Sequence, residues 1–261
     1  MTGGRRPVFT DGFETGRLDP ARWLAAYLPQ WSSRERSAPA CSIEDGRLIL
    51  TIRPGQGPWC PEWDGEVRVS SIQTGCFAGS PGSPIGQHRF APDVVVRQAQ
   101  PELRLYTPRR DRIELRAAAE LPPDTMAALW MIGFEDRPDD SGEICVMEIF
   151  RRDVSPGRAA VGMGVHPHHD PRLGDDFERV ELPIDPAEVN DYAIEWTADG
   201  IAWEVNGRAV REIDQSPDYP MQLMLGVYAF RALEPGERPP RFIVEQVRGF
   251  APVGGSAAAA A

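Results

Sequence analysis

Ile201-Ala-Trp-Glu-Val-Asn-Gly-Arg-Ala-Val-Arg-Glu-Ile213 is the stretch that decides the class of fold. Apolar and polar residues alternate on both sides of Asn206-Gly207, the period of two expected of half-buried strands. Asn-Gly suits a type I′ turn, in which both central residues need φ > 0, so two antiparallel strands meet here in a nearly fixed register. Ser42-Ile-Glu-Asp-Gly-Arg-Leu-Ile-Leu-Thr-Ile52 repeats the device around Asp45-Gly46.

Working outward, similar patterning predicts strands at 112–119, 127–133, 143–150, 159–165, 191–197, 221–229 and 242–250. With 25 Gly and 26 Pro, turns are frequent and helices few, while 41% apolar residues still suffice for a core. No repeat and no interdomain linker interrupts the series, which predicts one all-β sandwich. Arg53 to about Pro101, with Trp59 and Trp63, reads as long loops of the kind that carry function. The domain is bounded at 7–251, and 252–261, ending in five alanines, reads as a flexible tail.

A net charge of −11 disfavours nucleic acid and anionic membranes as partners, because phosphate binding needs a basic surface. No apolar run has the length of a signal peptide or a membrane span, so the chain as written reads as cytoplasmic, or as secreted if its start was trimmed. A monomer is expected. Cys41, Cys60, Cys76 and Cys145 lack paired Cys-x-x-Cys spacing, which argues for free thiols and against structural zinc; a Cys60–Cys76 disulfide is reserved for an exported protein.

Gly142-Glu-Ile-Cys-Val-Met-Glu-Ile-Phe150 carries the chemistry. Glu143 and Cys145 share a strand face by alternation, whereas Glu148 faces away unless a β-bulge near Val146-Met147 turns it back. With that bulge, two carboxylates converge as a glycosidase requires; without it they are surface residues available to Arg151 or Arg152.

The segment resembles the Glu-x-Asp-x-x-Glu signature of glycoside hydrolase family 16, and here too a strand with a tryptophan, Trp130, precedes it. Further similarities run in the family's order: Phe13, Leu18-Asp19 and Trp23; Tyr106 with Arg112-Ile-Glu-Leu-Arg116; Asp191-Tyr-Ala-Ile-Glu-Trp-Thr197; Val205-Asn-Gly-Arg208; Tyr219 to Leu225; and Phe242 to Arg248. The resemblance covers roughly Pro7 to Ala251. It implies a concanavalin A-like β-jelly-roll sandwich of two curved antiparallel sheets and retaining endo-hydrolysis of a β-glucan (β-1,3 or β-1,3/1,4), with Glu143 as nucleophile and Glu148 as acid/base. The rival readings are a lectin-like sugar-binding protein and a transglycosylase.

Cys145 stands where the family has Asp, and a mostly neutral thiol cannot replace that charge in tuning the glutamates. Slower hydrolysis or a shifted pH optimum is expected. Trp130, Trp196 and Tyr228 are candidate sugar platforms, with core packing the alternative for both tryptophans. His166, in His166-Pro-His-His-Asp170, falls where the family commonly carries a cleft histidine. No cofactor and no catalytic metal is expected. The resemblance leaves room for a structural Ca²⁺, although no dense acidic loop is present and Asp139-Asp140 and Asp175-Asp176 read as solvated charges.

Overall fold

The computed structural model describes residues 6–252, so the tail expected at the C-terminus lies, from residue 253 on, outside the described residues. The strands are β1 (Pro7–Asp11), β2 (Ala40–Glu44), β3 (Arg47–Thr51), β4 (Arg68–Gln73), β5 (Gly75–Cys76), β6 (Leu103–Arg104), β7 (Arg112–Glu120), β8 (Thr125–Gly133), β9 (Glu143–Phe150), β10 (Val154–Ser155), β11 (Arg158–His166), β12 (Asp176–Leu182), β13 (Asn190–Trp196), β14 (Ile201–Val205), β15 (Arg208–Ile213), β16 (Met221–Ala229) and β17 (Arg241–Phe250). They form two large antiparallel sheets stacked as a jelly-roll sandwich. One runs β15-β14-β13-β7-β17-β3-β2 with β1 beside β17; the other runs β10-β11-β9-β8-β16-β4 with β12 beside β11.

Both hairpins form as their turn residues dictate. Asn206 and Gly207 take φ of 50° and 73°, and Asp45 and Gly46 take 50° and 69°. The space between the sheets is filled by inward rows from both, among them Leu115, Trp196, Trp203 and Phe242 from the first and Leu129, Ile144, Val161 and Leu225 from the second. A second apolar cluster lies on the other face of the second sheet, where Trp31, Trp59, Val94 and Val96 pack with Val69, Met224 and Tyr228.

Six strands escaped patterning: β1, β5, β6 and β10, and the longer β4 and β12. β4 lies inside the segment read as loop, with all six residues buried, and its polar side chains are satisfied internally. Ser70 Oγ accepts from the Ala40 N–H at 2.9 Å, and the Gln73 amide accepts from Leu28 N–H at 3.0 Å while donating to the Gly75 carbonyl at 2.7 Å. β12 is an edge strand whose charged residues face solvent, so it lacks an apolar alternation. No helix among the described residues is long and apolar enough to cross a membrane.

Candidate active site

The register of β9 changes midway. Leu129 pairs with Met147 and Trp130 with Cys145, so Val146 is the extra residue of a β-bulge. Val146 and Met147 therefore both enter the core between Ile144 and Ile149, and Glu143, Cys145 and Glu148 are left on the outer face. This is the bulge that the two carboxylates required. Trp203, from β14 of the opposite sheet, donates its Nε1–H to the Cys145 carbonyl at 2.9 Å beside the interrupted register.

The start of β9 is also pinned. The Gly142 N–H donates to the Tyr219 hydroxyl at 2.8 Å, and that hydroxyl donates to Asp170 Oδ2 at 2.8 Å. A Cβ on Gly142 would collide with the Tyr219 hydroxyl and Leu173, so only glycine admits this approach.

Glu143 is 7% exposed, and each carboxyl oxygen has its own partner. His168 Nε2 lies 2.9 Å from Oε2, and the Cys145 thiol donates to Oε1 at 3.0 Å. Burial works to raise the pKa of Glu143, but the His168 hydrogen bond, the charges of His88 and His168, and the thiol outweigh it and hold the carboxyl below its usual range. His88 is itself pushed down to about 4 by burial and by His168, so at neutral pH it is uncharged. Burial and the two glutamates push the Cys145 thiol well above its ordinary value, which makes it a neutral donor and not a nucleophile.

Glu148 has the opposite environment. Burial and the charge of Glu143 raise it to about 7, with only Arg179 acting in the other direction. Among the described residues no group hydrogen-bonds its carboxyl. One glutamate is thus held ionised and the other half-protonated near neutrality, the division of labour that acid/base chemistry at a glycosidic bond needs.

Both glutamates open onto a cavity of about 230 Å³ that Trp130, Tyr228 and Phe230 also line. Trp130 Nε1–H donates to the Tyr228 hydroxyl at 2.9 Å, and the two rings are only 5% and 4% exposed, so they form the floor of the site. Trp196 is not there: it belongs to β13 of the other sheet, lies fully buried between the sheets and donates to Ser216 Oγ at 3.0 Å. Its place as a sugar platform is corrected to the core, because its inward position on the first sheet turns it away from the cleft.

His166 faces Glu143 across the β9–β11 ladder; its ring stacks on Phe177 at 4.8 Å and its Nδ1 lies 2.8 Å from Asp175 Oδ1. The histidine that touches Glu143 is instead His168, two positions on. His88, Tyr27 and Asp64, which also border the cavity, carried no motif. Three residues at this site have left-handed backbones: His88 (φ 53°), Glu135 (58°) and His168 (46°). Glu135 Oε1 accepts the His88 N–H at 2.5 Å, and burial raises Glu135 to about 7. Non-glycine residues in the left-handed region are strained, and here the strain falls on the two residues, His88 and His168, whose ring nitrogens come near Glu143.

Donor atoms of His88, Glu143 and His168 lie within 4.8 Å of one another, as do those of Glu143, Cys145 and His166. Calcium is another matter. Asp140 is buried against Arg137 and Arg172, Asp175 pairs with His166, and Asp176 with Arg211, so these three carboxylates are committed to cationic or imidazole partners.

The family model for glycosyl hydrolases family 16 matches residues 125–236, the segment that holds both glutamates. No curated protein matches significantly. Among solved structures, a GlcNAcα1-4Gal-releasing endo-β-galactosidase from Clostridium perfringens aligns with a TM-score of 0.83 at 26% identity, over 98% of this chain and 65% of that one. The chain thus spans somewhat less than two thirds of that relative. A structure from work on endo-acting O-glycanases of the human gut microbiota aligns at 0.61 with 17% identity, over 94% of this chain and 99% of the other. The catalytic domain of an endo-1,3-β-glucanase (laminarinase) from Thermotoga petrophila RKU-1 aligns at 0.62 with 17% identity, over 94% and 97%. These last two likenesses carry the fold. The matched segment and the paired glutamates in the cleft make residues 125–236 similar to glycosyl hydrolases family 16.

Proposed function

We propose that the protein is an endo-acting, retaining β-glycosidase whose substrate is a galactose-containing glycan. The observation that carries the reaction is the bulge at Val146, which turns Glu143 and Glu148 onto one face beside a cavity. Their unlike environments support the following roles. Glu143, ionised and held by His168 and Cys145, attacks the anomeric carbon as the bond to the departing oxygen breaks, and Glu148 gives that oxygen its proton. Water then attacks the same carbon, Glu148 takes the water's proton, and Glu143 leaves as a free carboxylate.

The substrate reading is supported by the endo-β-galactosidase, which superposes far better than the laminarinase and at higher identity. A β-1,3 or mixed β-1,3/1,4 glucan, expected from the family resemblance, rests on relatives whose likeness is one of fold. Product release from β-galactosides bearing terminal N-acetylhexosamine, from galactans and from β-glucans separates the two. Oligosaccharide release from galactosides alone, lost in Glu143→Gln and Glu148→Gln, is expected; release from glucans alone overturns the substrate assignment. Binding without release overturns the hydrolytic reading in favour of a lectin-like one, and products longer than the substrate mean that sugar replaces water as acceptor.

A further inference from the structure

We propose that His88, Glu143 and His168 form a binding site for a divalent transition metal of the zinc class, and that occupation of this site silences the enzyme by engaging the carboxylate that would attack the sugar. The second half rests on the proposed role of Glu143; the first does not.

Two imidazole nitrogens and one carboxylate oxygen form the donor set that holds hydrolytic zinc with a fourth position left open. Here these atoms already lie within 4.8 Å of one another. A tetrahedral shell with bonds of about 2.1 Å sets its donors roughly 3.4 Å apart, so a modest shift of the two histidine rings completes it. The His168 nitrogen starts at 2.9 Å from Glu143 Oε2, and the His88 and His168 rings meet edge to face at 4.8 Å.

The surroundings suit such a centre. Glu143 Oε1 is fixed by the Cys145 thiol, an outer partner that orients the metal-binding carboxylate. Trp130 packs against His88 at 5.1 Å and limits its ring. His168 is 34% exposed, which leaves an entry path from solvent. Imidazole favours zinc, copper or nickel over magnesium or calcium, so hard cations should not compete.

Titration of tag-free, metal-stripped protein with Co²⁺, read by visible absorption, tests the site directly. One tetrahedral Co²⁺ per chain is expected, displaced by Zn²⁺, with affinity at least tenfold weaker in His88→Gln and in His168→Gln and unchanged in His169→Gln. Circular dichroism checks that each variant is folded. No stoichiometric Co²⁺ spectrum, or binding indifferent to both His88→Gln and His168→Gln, overturns the site. Zn²⁺ inhibition of hydrolysis with the same midpoint, reversed by EDTA, is expected; metal binding that leaves hydrolysis unchanged overturns the silencing. Because the Co²⁺ readout needs no substrate, a failure of the glycosidase reading is seen separately from a failure of the metal site.

Discussion

The indole nitrogen of Trp203 donates to the carbonyl oxygen of Cys145 at 2.9 Å, so a hairpin of one sheet holds the interrupted strand of the other. The contact links folding to chemistry. A bulge breaks the regular ladder, and a buried carbonyl beside it needs a donor from elsewhere. Trp203, fully buried, reaches through the core to supply one.

Trp203→Phe keeps an aromatic ring in the core and removes only that donor. Leaving a buried acceptor unpaired costs about 1–3 kcal/mol, and β9 loses a restraint beside Cys145. Denaturant unfolding should show a loss of that size, and kcat should fall with KM little changed. Wild-type stability in the variant would mean that the bulge is held by other contacts.

His168 is a positioning residue for Glu143, and its loss should be visible in the pH profile. Its hydrogen bond is among the forces that hold Glu143 below the usual carboxylate range against the opposing effect of burial. In His168→Gln the acid limb of kcat/KM should therefore move to higher pH, and activity at about pH 5 should fall further than activity near neutrality. A uniform loss with an unmoved acid limb would assign His168 a structural role only.

The strands and the two glutamates were legible because their signals are local. Alternation along β9, β14 and β16 and the turns at Asp45-Gly46 and Asn206-Gly207 need no distant partner to be read. The need for a bulge was legible as well, since Glu143 and Glu148 are an odd number of residues apart. What escaped depends on long-range contacts: β4 hides its burial behind Ser70, Ser71 and Gln73, and His88 comes from a loop far from β9 in the chain. His168 stood in a segment already singled out, but only the left-handed backbone at that residue shows why it, and not His166, turns to Glu143.

Glu148 should sacrifice stability at high pH. Its folded value of about 7 lies above the ordinary one, so its contribution to stability is full below the ordinary value and is lost as the pH rises through about 7. Glutamine never acquires the charge. The melting temperature of Glu148→Gln relative to wild type should therefore be higher at about pH 8 than at about pH 5, while hydrolysis is abolished. A difference that does not vary with pH would show that Glu148 titrates normally.

The two tryptophans proposed from sequence should separate by phenotype. Trp196 fills the sandwich core, so Trp196→Ala should cost about 3–5 kcal/mol of stability. KM of the folded fraction should not change. Trp130 floors the cavity and bonds to Tyr228, so Trp130→Phe should raise KM with a smaller effect on unfolding. The reverse pattern would place the sugar on the other sheet.

Cys145→Asp puts the family's residue back and removes a hydrogen bond in doing so. The native thiol is neutral and donates to Glu143 at 3.0 Å, a bond that an ionised aspartate cannot make. A second carboxylate at this buried position adds negative charge near Glu148, whose acidity is already weakened by Glu143. Glu148 should then hold its proton to higher pH, and the alkaline limb of kcat/KM should move above about 7. Cys145→Ala removes the donor without adding charge; losing one such bond, worth about 1 kcal/mol, predicts a roughly fivefold decrease in kcat/KM with the alkaline limb in place. If Cys145→Asp leaves the profile unmoved, the thiol and the carboxylate are interchangeable here, and the tuning of this pair comes from His168 and burial alone.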